Sequence, residues 1–159
     1  MAFANTLIDP GKLPKPANPD RAKAGLIRLR ESLSQNEELS AHLAEVESDP
    51  AGQALLDAVF GNSPYLGRCL AQEVSSLRTF LIDGPDTAFA ALMADTEQAL
   101  AAETSQNRVM TELRRAKRRT ALITGLADIT GLWPLEKITD AFQALSGNAL
   151  AMKSLIKCS

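Results

Sequence analysis

Apolar residues recur every three or four positions along most of the chain, which places them on one face of an α-helix. Polar, glycine-containing or proline-containing breaks separate these patterns, and no run of residues favours a strand. The sequence therefore predicts an all-α fold, arranged as a multi-helix bundle without a sheet. The predicted helices cover residues 20–33, 39–46, 50–60, 64–82, 86–100, 105–129 and 134–146.

The first residues differ from the rest because they are rich in proline, which opposes helix formation. We expect an extended lead-in over residues 1–19 and a helical domain over residues 20–146. Asp20 is a favourable N-cap for the first helix. The prolines of the lead-in are Pro10, Pro14, Pro16 and Pro19.

A tight corner between two helices is predicted near residue 62. Gly61 is a favourable residue for ending the helix that begins at Pro50. Asn62 follows, Ser63 can cap the next helix, and Pro64 fits its first position, where an N–H is not needed. Asn62, Ser63 and Pro64 are therefore interpreted as a structural corner.

The longest predicted helix, residues 105–129, has a basic first half and an apolar second half. Asp128 lies in the apolar half, where a buried carboxylate would need a partner. Gly131 can end this helix, and the segment beginning at Trp133 opens the last one. Gly147 and the residue after it then weaken the helical pattern.

Composition limits the functions open to the chain. Hydrophobic residues make up 45% of its 159 residues, enough for the core of one domain. The net charge of -2 does not favour a general nucleic-acid binder or a surface attracted to anionic membranes. The two cysteines match no metal or disulfide spacing, and no segment resembles a leader or a membrane span. We therefore expect a cytoplasmic protein that does not associate with membranes.

Residues that could perform catalysis are sparse. The only histidine, His42, lies among glutamates, and a solvated acidic helix face is a better interpretation than a metal site. There is no P-loop, no G-x-G pair and no Asp-x-Asp pair to hold phosphates or divalent ions. We predict no catalytic, cofactor-binding or metal-binding residue.

The strongest functional candidate is the basic block, defined as residues 114–119. Its arginine side chains could hold phosphates. The alternative, which we favour, is contact with another domain or internal pairing with residues 31–57, which carry seven acids and no Lys or Arg. Nucleic-acid binding is the weakest interpretation. The cations of the block are Arg114, Arg115, Lys117, Arg118 and Arg119.

Four motifs occur together in a recognisable order: Gly61-Asn62-Ser63-Pro64-Tyr65-Leu66, Leu113-Arg114-Arg115-Ala116-Lys117-Arg118-Arg119, Gly125-Leu126-Ala127-Asp128-Ile129 and Trp133-Pro134-Leu135-Glu136. Over residues 50–146 the chain resembles the N-terminal helical region of bacterial bifunctional glutamine synthetase adenylyltransferase/adenylyl-removing enzymes. The resemblance implies a large enzyme that transfers AMP from ATP to a tyrosine of glutamine synthetase and removes it again. It also implies magnesium in two nucleotidyltransferase domains and control by a PII signal protein and glutamine.

In that family the Gly-Ser and Asp-x-Asp site lies downstream of the matched helices, so no catalytic or metal residue is carried over. We expect a truncated helical segment that is catalytically silent, needs no cofactor itself, and packs against a nucleotidyltransferase domain missing from this chain. Residues 147–159 form a divergent tail in this interpretation. The alternative function is a stand-alone helical module that binds a partner protein.

Overall fold

The computed structural model describes residues 8–157 and the side chains of residues 8–147. The described chain is entirely helical, without a strand, which confirms the predicted fold class. Residues 1–7 of the lead-in and 158–159 of the tail lie outside the described residues. The helices are α1 Pro19–Leu33, α2 Glu37–Ser48, α3 Pro50–Asn62, α4 Pro64–Gln72, α5 Val74–Asp83, α6 Pro85–Ala102, α7 Gln106–Thr130 and α8 Leu135–Lys157.

Two helices organise the packing. Helix α3 contacts α1, α2 and α4, whereas α7 contacts α4, α5, α6 and α8. Helix α4 therefore joins the two groups. Most of the buried hydrophobic side chains form one cluster that extends from Leu13 to Leu145 and includes the fully buried Phe80. A cluster of this kind supplies the main driving force for folding.

The first helix begins earlier than expected, because Asn18 rather than Asp20 is its N-cap. The Asn18 side chain accepts a hydrogen bond from the Arg21 N–H at 2.9 Å. Pro19 then occupies the first turn, where an N–H group would have no hydrogen-bond acceptor within the helix, so the N–H that proline lacks is not needed. The lead-in is also not wholly extended, since Pro10–Lys12 form a short 3-10 turn capped by Asp9.

Gly61 does not end α3, which continues to Asn62. Its role is close packing: a Cβ at Gly61 would lie 2.3 Å from the Cβ of Pro16. The lead-in crosses α3 at this point, and the Asn62 side chain accepts a hydrogen bond from the Ala17 N–H at 2.9 Å. The Arg21 guanidinium, at the start of α1, donates to the Gly61 carbonyl at 2.8 Å. This carbonyl lies in the last turn of α3, where carbonyl groups have no hydrogen-bond partner within the helix.

The predicted helix over residues 64–82 is two helices, because the chain turns at Glu73. The backbone of Glu73 leaves the helical region, with φ -129° and ψ 47°. Its side chain is buried, whereas the residues on either side of the turn keep a helical apolar spacing. Periodicity alone could not reveal the turn, since the apolar pattern passes through it without a break.

The last two helices agree only in part with the sequence predictions. Gly131 adopts the left-handed conformation, φ 69°, and ends α7 as predicted. Asp128 is exposed rather than buried, because the final turn of α7 is less covered than the turns before it. Helix α8 continues past Gly147 to Lys157. A single glycine costs a helix only about 1 kcal/mol, and the residues after it are mostly good helix formers.

Ser63 separates α3 from α4, and its hydroxyl accepts a hydrogen bond from the Leu66 N–H at 3.2 Å. Pro64 occupies the first turn of α4. We expect Ser63→Ala to lower the free energy of unfolding by about 1 kcal/mol, because the amide loses its cap. Urea denaturation of both proteins measures this difference. Ser75→Ala, at an exposed position in α5, is the control, and equal midpoints for all three proteins would contradict the capping role.

Candidate functional site

The basic block lies in the first half of α7, and its cations point in different directions. Arg118 and Arg119 are turned toward the neighbouring helices, whereas Arg114 and Lys117 are exposed. Arg115 lies between these two groups, with about half of its side chain accessible. The block is therefore divided into an inward part that holds helices together and an outward part that faces solvent.

Arg118 pairs with the buried Glu73. Its Nε and Nη2 atoms both donate to Oε1 of Glu73, at 3.2 and 2.9 Å. Only 6% of the Glu73 side chain is exposed, and Arg115 Nε lies 3.7 Å from the other carboxylate oxygen. Two arginines of α7 thus hold the carboxylate at the turn between α4 and α5.

Arg119 joins α7 to two more helices. Its Nε donates to the Ser76 hydroxyl on α5 at 3.2 Å, and its Nη2 donates to Asp95 on α6 at 3.2 Å. The Arg119 side chain is only 13% exposed. The guanidinium therefore fixes the relative positions of α5, α6 and α7.

The acids that pair with the block are not those expected from the sequence. Among the described residues, the acidic segment 31–57 contributes no ion pair to the basic block. Its Glu47 instead accepts a hydrogen bond from Arg30 of α1, at 2.9 Å from Nε. Internal pairing occurs, but with Glu73 and Asp95, which sequence reasoning did not single out. Nothing in the sequence marked either acid as a partner of the basic block, because neither belongs to an acid-rich segment.

An apolar groove of about 390 Å³ runs between α7 and α8. Met110 and Leu113 line its α7 side, and Phe142 and Leu145 line its α8 side. Phe142 is 41% exposed. Leu135, two turns before Phe142, is 73% exposed. Arg114 and Lys117 border the groove on its outer side.

A smaller concavity of about 270 Å³ lies between α4 and α7. Its floor is Cys69, which is buried, and burial raises the pKa of this thiol. Tyr65 stands at the rim, and burial likewise raises the pKa of its phenol above the usual value. The cations around it are Arg68, Arg114, Lys117 and Arg118.

His42 is more covered than the predicted solvated face implies, with 15% of its side chain exposed. Its Nε2 lies 3.6 Å from Glu38, one turn earlier in α2, and its buried Nδ1 has no hydrogen-bond partner among the described residues. In the described part of the chain, no group of three or more His, Cys, Asp or Glu side chains is arranged to hold a metal ion. No helix described here is sufficiently long and apolar to cross a bilayer.

Comparison with known proteins gives a consistent result. Residues 53–155 match the family model described as glutamate-ammonia ligase adenylyltransferase. The match extends beyond residue 146, where the resemblance was expected to stop. No solved structure matches significantly.

Curated relatives carry the description bifunctional glutamine synthetase adenylyltransferase/adenylyl-removing enzyme. The protein from Bradyrhizobium diazoefficiens is 35% identical over 120 residues, which are 74% of this chain and 12% of the relative. The protein from Rhodopseudomonas palustris strain TIE-1 is 34% identical over 103 residues, 65% of this chain and 10% of the relative. One from Bradyrhizobium sp. strain BTAi1 is 30% identical over 142 residues, 87% of this chain and 14% of the relative. The chain thus spans only about an eighth of the length of the relatives it matches.

Proposed function

Because the chain belongs to the glutamate-ammonia ligase adenylyltransferase family, we propose that it is a helical scaffold that packs against a nucleotidyltransferase domain and has no transfer activity of its own. The proposal places it in the cytoplasm. Glutamine synthetase and a PII signal protein are then partners of the assembled enzyme rather than of these helices alone. ATP and magnesium likewise belong to the nucleotidyltransferase domain.

The observation that carries this proposal is the apolar groove between α7 and α8. A chain that folds around one continuous core nevertheless leaves Phe142 and Leu135 exposed along a single face of α8. Exposed apolar surface bordered by polar groups is typical of a contact with another protein surface. Arg114 and Lys117 supply that polar border, which suits a partner surface with acidic residues.

The residues themselves support the absence of transfer activity. Nucleotidyl transfer with divalent ions requires closely spaced carboxylates, and the sequence has no Asp-x-Asp pair. The inward cations of the basic block are already bound to Glu73, Ser76 and Asp95. Those side chains maintain the helix packing and are not available to hold a reacting phosphate.

Two measurements test the proposal. The isolated chain, incubated with adenylylated glutamine synthetase, phosphate and magnesium, is expected to form no ADP, the product that forms when phosphate takes up the AMP group from the tyrosine. A chimera in which this chain replaces the matching segment of the Bradyrhizobium diazoefficiens protein is expected to have adenylyl-removing activity. Phe142→Glu in the chimera should lower that activity at least tenfold, because a charge would be buried at the contact.

Ile27→Glu is the matched control, since Ile27 is also an exposed apolar residue, at 51%, but lies on α1. The activity of the chimera that carries Ile27→Glu should stay within twofold of the activity of the parent chimera. Formation of ADP by the isolated chain would refute the catalytically silent scaffold. Equal activities for the two glutamate variants would show that the groove does not face the nucleotidyltransferase domain, and would favour the stand-alone interaction module.

A further inference from the structure

The concavity between α4 and α7 contains an excess of positive charge. Four of its lining side chains are cationic, the remaining ones are neutral, and none is a carboxylate. Arg118 is neutralised by Glu73. Within the described part of the chain, no carboxylate lies within ion-pairing distance of Arg68, Arg114 or Lys117. Three unneutralised cations thus converge in a chain whose total charge is -2.

This arrangement is unfavourable without a counter-charge. Lys117 follows Arg114 by three residues, so these two unneutralised cations share one side of α7. Like charges at this spacing destabilise a helix, and Arg68 adds a further cation from α4. An anion in the concavity would convert this mutual repulsion into attraction.

The donors are held in place by packed structure rather than by flexible loops. Arg118 is not one of these donors, but its two hydrogen bonds to Glu73 join α7 to the end of α4 and so fix the backbone that carries Arg114 and Lys117. Helices α4 and α7 pack directly on each other, with the buried Cys69 between the cations. The guanidinium carbon of Arg68 lies over the Tyr65 ring, 6.0 Å from its centre, at the outer distance of a cation–π contact. A site built in this way loses less entropy when it binds.

The chemistry of the donors selects the ligand. Arginine forks match pairs of phosphate oxygens, and lysine adds a point charge. The Tyr65 hydroxyl and the Gln72 amide add neutral donors at the rim. A tyrosine hydroxyl ordinarily titrates at about pH 10, so that of Tyr65 is protonated and able to donate at neutral pH.

We propose that this concavity is a binding site for an oligophosphate group, free or carried by a nucleotide. Three cations match a ligand with at least two negative charges better than they match a single carboxylate. Arg68, on α4, belongs to this site together with Arg114 and Lys117 on α7. The site adjoins the apolar groove of the scaffold and shares Arg114 and Lys117 with its border. In the isolated chain no partner domain covers these side chains, so binding there does not depend on the proposed function.

The test is isothermal titration calorimetry of the full chain with phosphate, tripolyphosphate and ATP, all at one low ionic strength set with sodium chloride. We expect one tripolyphosphate per chain and an affinity at least tenfold higher than that for phosphate. Arg68→Gln combined with Lys117→Gln should weaken tripolyphosphate binding at least tenfold. Both side chains are exposed, so the melting temperature of this variant should not fall.

The control combines Lys23→Gln with Arg78→Gln, which removes one lysine and one arginine from exposed positions on α1 and α5. It should bind tripolyphosphate within twofold of the parent chain. ATP binding equal to that of tripolyphosphate would support recognition of the phosphate chain alone, and tighter ATP binding would support a nucleotide ligand. No binding of any of the three would overturn the proposal. Equal losses in the two variants would also overturn it, because they would indicate a diffuse charge effect and no defined site.

Discussion

Replacing Arg118 by alanine is expected to lower the free energy of unfolding by about 2 to 4 kcal/mol, because it leaves the buried Glu73 carboxylate short of its main partner. Removing one member of a buried ion pair costs more than the pair contributes, since the remaining charge cannot return to water. Arg115 lies 3.7 Å from the same carboxylate and still compensates part of its charge. We therefore expect a loss below the upper end of the range that is usual for a broken buried ion pair. Chemical denaturation measures the loss.

Arg114→Ala is the control for this experiment, because Arg114 is an exposed arginine of the same helix. Its effect should remain within about 0.5 kcal/mol of zero. A second background, Glu73→Gln, removes the buried charge, so Arg118→Ala should cost clearly less there than in the parent chain. Identical costs in the two backgrounds would show that the arginine acts through packing and not through Glu73.

Gly52→Ala should destabilise the chain by about 3 kcal/mol, near the top of the usual range for overpacking. A Cβ at Gly52 would lie 2.2 Å from the carbonyl oxygen of Val46, a backbone atom of the preceding helix. The local backbone cannot easily move, since Asp49 caps α3 by accepting hydrogen bonds from Ala51 and Gly52. Thermal and urea denaturation measure the effect.

Gly147→Ala provides the matched comparison, because it adds the same methyl group inside a helix where nothing lies within 4 Å of the new Cβ. It should stabilise the chain by up to about 1 kcal/mol, the difference between glycine and alanine in a helix. An equal stabilisation by Gly52→Ala would contradict the close contact between α3 and the end of α2.

Local chemistry predicted many helix boundaries correctly. Pro50 and Pro64 occupy first turns, and Gly131 ends α7, because each of these effects depends only on the residue and its immediate neighbours. Gly61 was misinterpreted for the opposite reason. Its importance comes from the contact with Pro16, and no local rule distinguishes a glycine that ends a helix from one that admits another segment.

The site was harder to predict than the fold. The basic block was evident as a run of cations, but its partners were not, since Glu73 lies 45 positions before Arg118. Charge complementarity suggested residues 31–57 because this segment contains many acids, whereas packing places Glu73 and Asp95 beside the basic block. Arg68 joins the outward cations only through the contact between α4 and α7. Such pairings depend on how helices pack, which periodicity does not specify.

The turn at Glu73 also bears on the order in which the chain acquires its shape. Residues 64–83 leave the ribosome well before Arg118, and their own apolar spacing favours one straight helix. The arginines that hold the Glu73 carboxylate at the bend between α4 and α5 lie on α7, much later in the chain. We therefore expect this bend to be completed only after α7 has been synthesised.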